Sequence, residues 1–331
     1  MMSAKPRVAV IGTGGTISSV AQSSLDVLDY PETGRKLEVA EVLARTPEVE
    51  RFAECVPIPF RAVGSTSIGP KDWVELSRTV AELGEDVAGV VIPHGTATLE
   101  ETAYVLSLIL KTEMPVVLVG AQRPSSAVSQ DGGMNLLAAI RTAVAPEARG
   151  LGVLVVMNDE IHAAREVTKT STYRLQTFRS PDFGLLGHVD GDRLAFYRRP
   201  TRRHTVTSAF DLTALAAMPR VDITYSYAGA DGAAVEALVA AGAEGIVSAG
   251  LAPGIPALGE REALERAAAA GVVVSQASRA GSGRVARRTY LREKKMVGAD
   301  NLNPQKARIL LGLALTQTRD ADSIQEIFDT H

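Results

Sequence analysis

Thr16 stands where a hydroxyl can do chemistry. The stretch 8–18, VAVIGTGGTIS, is an apolar run that breaks at Gly12 into a glycine-rich turn carrying Thr16. A short apolar run bounded by such a turn predicts a buried strand. Open α/β sheets bind ligands beyond the carboxyl ends of their strands, and glycines there allow close backbone approach and unusual φ values. A hydroxyl in that place is a phosphate contact or a nucleophile, unless the segment is only a tight turn. The letters disfavour the phosphate. Gly12 and Gly14 suit a dinucleotide fingerprint, but Ile17 fills its third glycine position and no Gly-Lys-Ser/Thr is present.

Three further strand ends carry similar groups. Val87–Pro93 leads into His94-Gly95-Thr96-Ala97-Thr98 and then LEETAYVLSLIL. That segment predicts an amphipathic helix, with Glu100 and Glu101 in the first turn, where acids suit the helix dipole. Pro115–Gly120 leads into AQRPSSAVSQDGGMNLLAAI, and Gly152–Met157 into NDEIHAAREVTKTST. Four polar, hydroxyl-bearing strand ends in succession point to a pocket rather than to one phosphate.

Several motifs then converge. TGGTI at 13–17, HGT at 94–96 followed by TLEETAY, GAxRP at 120–124 with DGxxN at 131–135, VLVVMND at 153–159 and VTKT at 167–170 resemble bacterial L-asparaginases, especially the type II group. So do GIVSAG at 245–250 and LNPQKARILLGLALTQT at 302–318. The resemblance runs in order along nearly the whole chain. It implies an amidohydrolase that releases ammonia from the side chain of asparagine, or of glutamine, through a covalent acyl-enzyme. It also implies an α/β fold, with a larger N-terminal flavodoxin-like parallel-sheet domain and a smaller C-terminal α/β domain. The family assembles as homotetramers, dimers of close dimers.

Site residues follow by the same resemblance. Thr16 is the nucleophile, and Tyr30, on a lid over residues 18–36, is its partner. Thr96 and Lys169 form a second group, in which Lys169 acts as a base only if burial lowers its pKa. Ser65 resembles the serine that binds the substrate α-carboxylate, and Gly15, Thr66, Ala97 and Ala121 complete the substrate-binding positions. The backbone N–H groups of Thr96 and Ala121 are expected oxyanion donors. His94 is a structural neighbour rather than a general base. Asp131 and Asn135 are expected to fix their loop and cap the next helix.

The chain also departs from the pattern. Where the family reads HGTDT, this sequence has Ala97. In relatives that aspartate orients the lysine of the second group and binds the substrate α-ammonium, and alanine does neither. Gly229 stands where a neighbouring subunit often lends an asparagine, and no acid aligns cleanly within 284–294, with Glu293 and Asp231 only loose substitutes. Two readings of Ala97 stay open. It is an engineered substitution that disables an asparaginase, or the pocket has diverged naturally toward an amide, lactam or imide lacking the α-amine. A non-catalytic protein that binds an amino acid or amide is a further alternative.

Composition sets the frame. The 331 residues suggest two domains, and 46% hydrophobic with 22% charged residues is ordinary for a globular protein. A net charge of −3 gives no reason to expect nucleic acid or an anionic membrane as partner. Cys55 is the only cysteine, so no intrachain disulfide can form. The histidines show no ligand spacing, so neither metal nor cofactor is expected. MMSAKPRV runs straight into the first strand without an apolar leader core, which makes the cytoplasm the expected location. Strands alternate with helical segments over 8–198, which predicts a mostly parallel sheet covered on both faces. We read 1–198 as the N-terminal catalytic domain, 199–220 as a basic linker and 221–331 as the C-terminal α/β domain, closed by a helix over about 304–318. Arg284–Lys295 is a charge run, a solvated face or a surface near a subunit contact.

Overall fold

In the computed structural model, which describes residues 4–331, the chain divides into one unit ending at Thr207 and another beginning at Ser208. The first unit is built on eight strands: β1 (Arg7–Gly14), β2 (Glu54–Val63), β3 (Val87–Pro93), β4 (Val116–Val119), β5 (Val153–Met157), β6 (Glu160–Ala163), β7 (Gly187–Val189) and β8 (Leu194–Phe196). They lie in the order β8-β7-β6-β5-β4-β3-β1-β2. Strands β1 to β5 are parallel.

Four helices of six residues or more accompany this sheet: α1 (Val39–Ala44), α2 (Pro70–Ala81), α3 (Leu99–Ile109) and α4 (Gly132–Ala143). Strand side chains alternate between faces, and here both faces are covered. Val8, Val10, Val91, Val117 and Val119 pack with Leu136 and Ile140 of α4. Ile11, Val90, Ile92, Val116 and Leu118 pack with Leu76 and Val80 of α2 and with Leu99 and Leu106 of α3. Burial on two sides is why these strands read as unbroken apolar runs.

The expected alternation of strand and helix holds as far as β5 and then stops. Strands β6, β7 and β8 are antiparallel. Asn158 and Asp159, with φ of 53° and 62°, make the two-residue turn from β5 into β6. Two consecutive positive φ values are the geometry that joins tight hairpins, so the chain doubles back at a point where a crossover helix was expected.

The second unit holds a parallel sheet in the order β9 (Val221–Tyr225), β10 (Gly245–Gly250), β11 (Val273–Ser278), β12 (Val297–Gly298). Its helices of eight residues or more are α5 (Ala233–Ala240), α6 (Leu258–Ala269), α7 (Pro304–Ala314) and α8 (Ala321–Thr330). Val235 of α5 and Leu264 of α6 pack on Ile246 and Val274. The closing helix, expected over about 304–318, is α7 and ends at Ala314; α8 follows it, where the sequence reading placed no helix. The charge run is a paired surface: Arg284 meets Asp300, Arg287 meets Asp322 and Lys294 meets Glu265. Asp231 is engaged at the start of α5, where it accepts from Ala233 N at 3.0 Å.

Candidate active site

The parallel strands follow the order β2-β1-β3-β4-β5, so the direction of travel reverses between β1 and β3. That reversal opens a crevice at the strands' carboxyl ends, and the turn after β1 enters it. Gly14 and Gly15 have φ of +96° and +84°. A Cβ on Gly14 would lie 2.3 Å from the Val63 carbonyl oxygen, and one on Gly15 would lie 2.2 Å from the Gly95 Cα. Only glycine fits either place, and the turn is wedged between the ends of β2 and β3. Gly15 N donates to Val63 O at 2.8 Å. The Gly15 carbonyl accepts from Ser18 Oγ at 3.0 Å and Ser19 Oγ at 2.8 Å.

This turn presents Thr16. Its Oγ1 lies 2.9 Å from the Tyr30 hydroxyl. Tyr30 opens a four-residue helix within 18–36, and that segment is closed at its base by an antiparallel pairing of Ser19–Val20 with Arg35–Lys36. Lys36 Nζ donates to Ser19 Oγ at 2.6 Å and stands 5.9 Å from the Tyr30 ring centre. Burial pushes the Tyr30 pKa above its ordinary value, against the opposing effect of the Thr16 hydrogen bond. Tyr30 is therefore a phenol at neutral pH, able to accept one proton only while passing on another.

Thr96 follows β3, and its Oγ1 accepts from Lys169 Nζ at 2.6 Å. Lys169 lies on a two-residue strand, Thr168–Lys169, paired with Phe178–Arg179. Burial lowers its pKa, while the Glu100 carboxylate acts to raise it. Glu100 is itself buried in the first turn of α3. Ser65 is buried beside this turn, where its Oγ accepts from Ala97 N at 3.2 Å and its carbonyl accepts from Thr98 Oγ1 at 2.8 Å. A Cβ on Gly120 would lie 2.9 Å from Thr96 Cγ2, which puts the β4 end and buried Ala121 next to Thr96.

Thr66 follows Ser65 on the same turn and is exposed, as is Ala97, whose N–H reaches Ser65 Oγ. His94 is buried and faces inward, its Nδ1 2.8 Å from Gly95 O and its Nε2 3.0 Å from Thr102 Oγ1. Burial pulls its pKa down to about 4. One expectation is corrected. Asp131 makes no side-chain cap to α4. Its carboxylate accepts instead from Gln122 N and Arg123 N, each at 2.9 Å, and so closes the loop after β4. Asn135 ties strand ends together, donating to Gly120 O at 3.0 Å and accepting from Asn158 N at 2.9 Å. Lys36, Trp73 and Thr102 were not singled out in the sequence, because nothing local marks a lysine, a tryptophan or a helical threonine as a neighbour of Tyr30 or His94.

Residues 7–202 match the family Asparaginase, N-terminal, and residues 220–328 match the Glutaminase/Asparaginase C-terminal domain. The chain belongs to the asparaginase family. This asparaginase-family chain is 40% identical to L-asparaginase 2 of Bacillus subtilis, over 98% of its own length and 87% of the relative's. It is 39% identical to the glutaminase-asparaginase of Pseudomonas fluorescens biotype A, over 97% of its length and 89% of the relative's. The crystal structure of a probable cytoplasmic L-asparaginase from Campylobacter jejuni matches it with a TM-score of 0.94 at 39% identity, covering 99% of this chain and all of the other. The family's amidohydrolase chemistry thus meets a site with two threonine hydroxyls, each within hydrogen-bond reach of an ionisable partner.

Proposed function

We propose that this protein hydrolyses the side-chain amide of L-asparagine, or of L-glutamine, to the acid and ammonia through an acyl-enzyme on Thr16. The observation that carries this is the pair of contacts Thr16–Tyr30 and Thr96–Lys169, on turns whose glycines Gly15 and Gly95 touch. Thr16 Oγ attacks the amide carbon while Tyr30 takes its proton and gives its own to the departing nitrogen. The C–O bond forms, the C–N bond breaks and ammonia leaves. A hydroxyl needs such a proton acceptor to be a competent nucleophile. The backbone N–H groups of Thr96 and Ala121 face the developing oxyanion, where preorganised donors act most strongly. Water then attacks the acyl carbon, guided by Thr96. Lys169, in its neutral form, takes the water proton as the new C–O bond forms. The acyl C–O bond to Thr16 breaks, Tyr30 gives its phenol proton to Thr16 Oγ1, and the proton on Lys169 returns through solvent to restore Tyr30.

Ser65, with Gly15 and Thr66, positions the substrate α-carboxylate. Ala97 gives the α-ammonium no partner, and a buried cation without one is costly. We therefore expect slow turnover of asparagine by this chain. A homotetramer and a cytoplasmic location, the one named for the Campylobacter jejuni protein, belong to the same proposal. The test is ammonia release from L-asparagine, L-glutamine and amides lacking the α-amine, with Ala97→Asp run alongside. Position 97 is exposed, so the carboxylate can be added without repacking. The expected result is a gain in asparagine kcat/KM on the order of 10²–10⁴ for Ala97→Asp. No gain, together with cleavage of an amide that lacks the α-amine, would refute the asparagine assignment.

A further inference from the structure

His94 is wholly buried one residue before the Gly95–Thr96 peptide, and its hydrogen bonds admit a single arrangement. Gly95 O cannot donate, so the contact at 2.8 Å requires a proton on His94 Nδ1. The ring is neutral, because burial holds its pKa near 4, so Nε2 is an acceptor. Its partner at 3.0 Å is Thr102 Oγ1, which must donate its one hydroxyl proton there. The Thr102 oxygen in turn accepts from Trp73 Nε1 at 3.0 Å, and an indole nitrogen is a donor only. Polarity therefore runs one way, from Trp73 on α2, through Thr102 on α3 and the His94 ring, to the Gly95 carbonyl. All three side chains are at most 2% exposed.

We propose that Trp73, Thr102 and His94 form a one-way hydrogen-bond relay that fixes the Gly95–Thr96 peptide, and are positioning residues for Thr96. The peptide unit is planar and trans, so holding Gly95 O from one side aims Thr96 N–H to the other. The same plane sets where the Thr96 side chain leaves the backbone to meet Lys169. Helices α2 and α3 share one face of the sheet through Leu76, Val80, Leu99 and Leu106, so the relay anchors a strand-end turn to a rigid layer. Neutral hydrogen bonds in a dry interior polarise one another, and removing a middle member leaves a donor and an acceptor buried without partners. The proposal rests on Thr96 being a site residue of the amidase reading.

The sequence has one tryptophan, so one indole N–H resonance reports the relay. In Thr102→Val the expected result is a displaced indole resonance and a kcat for asparagine lower by roughly 10–100-fold with KM little changed. Thr102→Ser, which keeps the hydroxyl, should restore both. Unchanged kcat in Thr102→Val, or an equal defect in Thr102→Ser, would overturn the proposal, because either result leaves Thr102 a packing residue. If Thr102→Val does not fold, Trp73→Phe takes its place. It removes only the first donor, and a fall in kcat at constant KM is then expected, while an unchanged kcat overturns the relay. Should the native chain release no ammonia at all, the amidase reading fails by itself. The relay is then decided by the ring-nitrogen resonances of His94, where the Nδ1–H tautomer supports it and the Nε2–H tautomer overturns it.

Discussion

Gly15 and Gly95 meet backbone to backbone, so that a Cβ on Gly15 would stand 2.2 Å from the Gly95 Cα. This contact brings the Thr16 turn and the Thr96 turn to one place. Gly15 also has φ 84° and ψ −169°, a region open to glycine almost alone. Gly15→Ala is expected to lose more than about 100-fold in kcat, since the two turns must part and near-attack geometry is lost. It should also lose stability, with strain alone costing ~1–3 kcal/mol. Gly69→Ala is the control, because a Cβ there meets nothing within 4 Å. Ammonia release and thermal melts of both variants check this.

In the proposed reaction Thr16 is the nucleophile and Tyr30, 2.9 Å away, the proton relay, and two variants tell these roles apart. Thr16→Ala should abolish turnover without unfolding the chain, and no acyl-enzyme should form. Tyr30→Phe should keep substrate affinity and lower kcat by roughly 10²–10⁴, the range of a lost general acid–base group. Rapid-quench mass spectrometry of the intact protein distinguishes the two, because only Tyr30→Phe retains an oxygen that can be acylated.

Lys169 supplies a pH signature. Its pKa lies below the ordinary lysine value because it is buried, and Glu100 opposes that shift. If neutral Lys169 is the base, the rate rises with pH through this lowered pKa. Removing the Glu100 charge lets the pKa fall further, so Glu100→Gln should move the rising limb to lower pH. Lys169→Met should remove the limb. A kcat–pH profile of the three proteins that shows no displacement would exclude Lys169 as the base.

His94 makes stability depend on pH. Its folded pKa is about 4 against ~6.5 when unfolded, so between those values the unfolded chain binds more protons. The contribution is complete above about pH 6.5, declines as pH falls toward 4 and is then constant, on the order of 3 kcal/mol in all. Urea unfolding of the native chain at pH 7, 5.5 and 4.5 should show this decline. The same series on His94→Asn should show a shallower one, since the carboxylates that also titrate there are common to both proteins.

Much of the candidate site was legible because its proposed residues sit at strand ends. Thr16, Thr96 and Ala121 each follow an apolar run, and a run buried on both faces marks its own end when polar letters resume. Tyr30 was harder, since nothing in the small polar residues of 18–36 says which of them turns back. Lys169 reaches Thr96 across 73 positions, and no local period encodes a contact of that span. Asp131 was half legible: it fixes its loop as expected, but an acid before a helix also suggests a cap, and its carboxylate binds Gln122 N and Arg123 N instead of α4.

The sequence by itself determined the α/β class, the strands whose ends carry the candidate site residues, and the family. These depend on hydrophobic runs, glycines and motifs that are local along the chain. Only the tertiary structure decided that the sheet turns antiparallel after β5, that the Gly15 and Gly95 backbones touch, that Thr16 and Tyr30, paired in the sequence only by family resemblance, close to 2.9 Å, and that Trp73 and Thr102 reach the buried His94 ring. Those depend on which polar groups meet once the apolar faces are packed. Burial forces each donor to find an acceptor, and which acceptor lies within reach is set by the packing of distant segments.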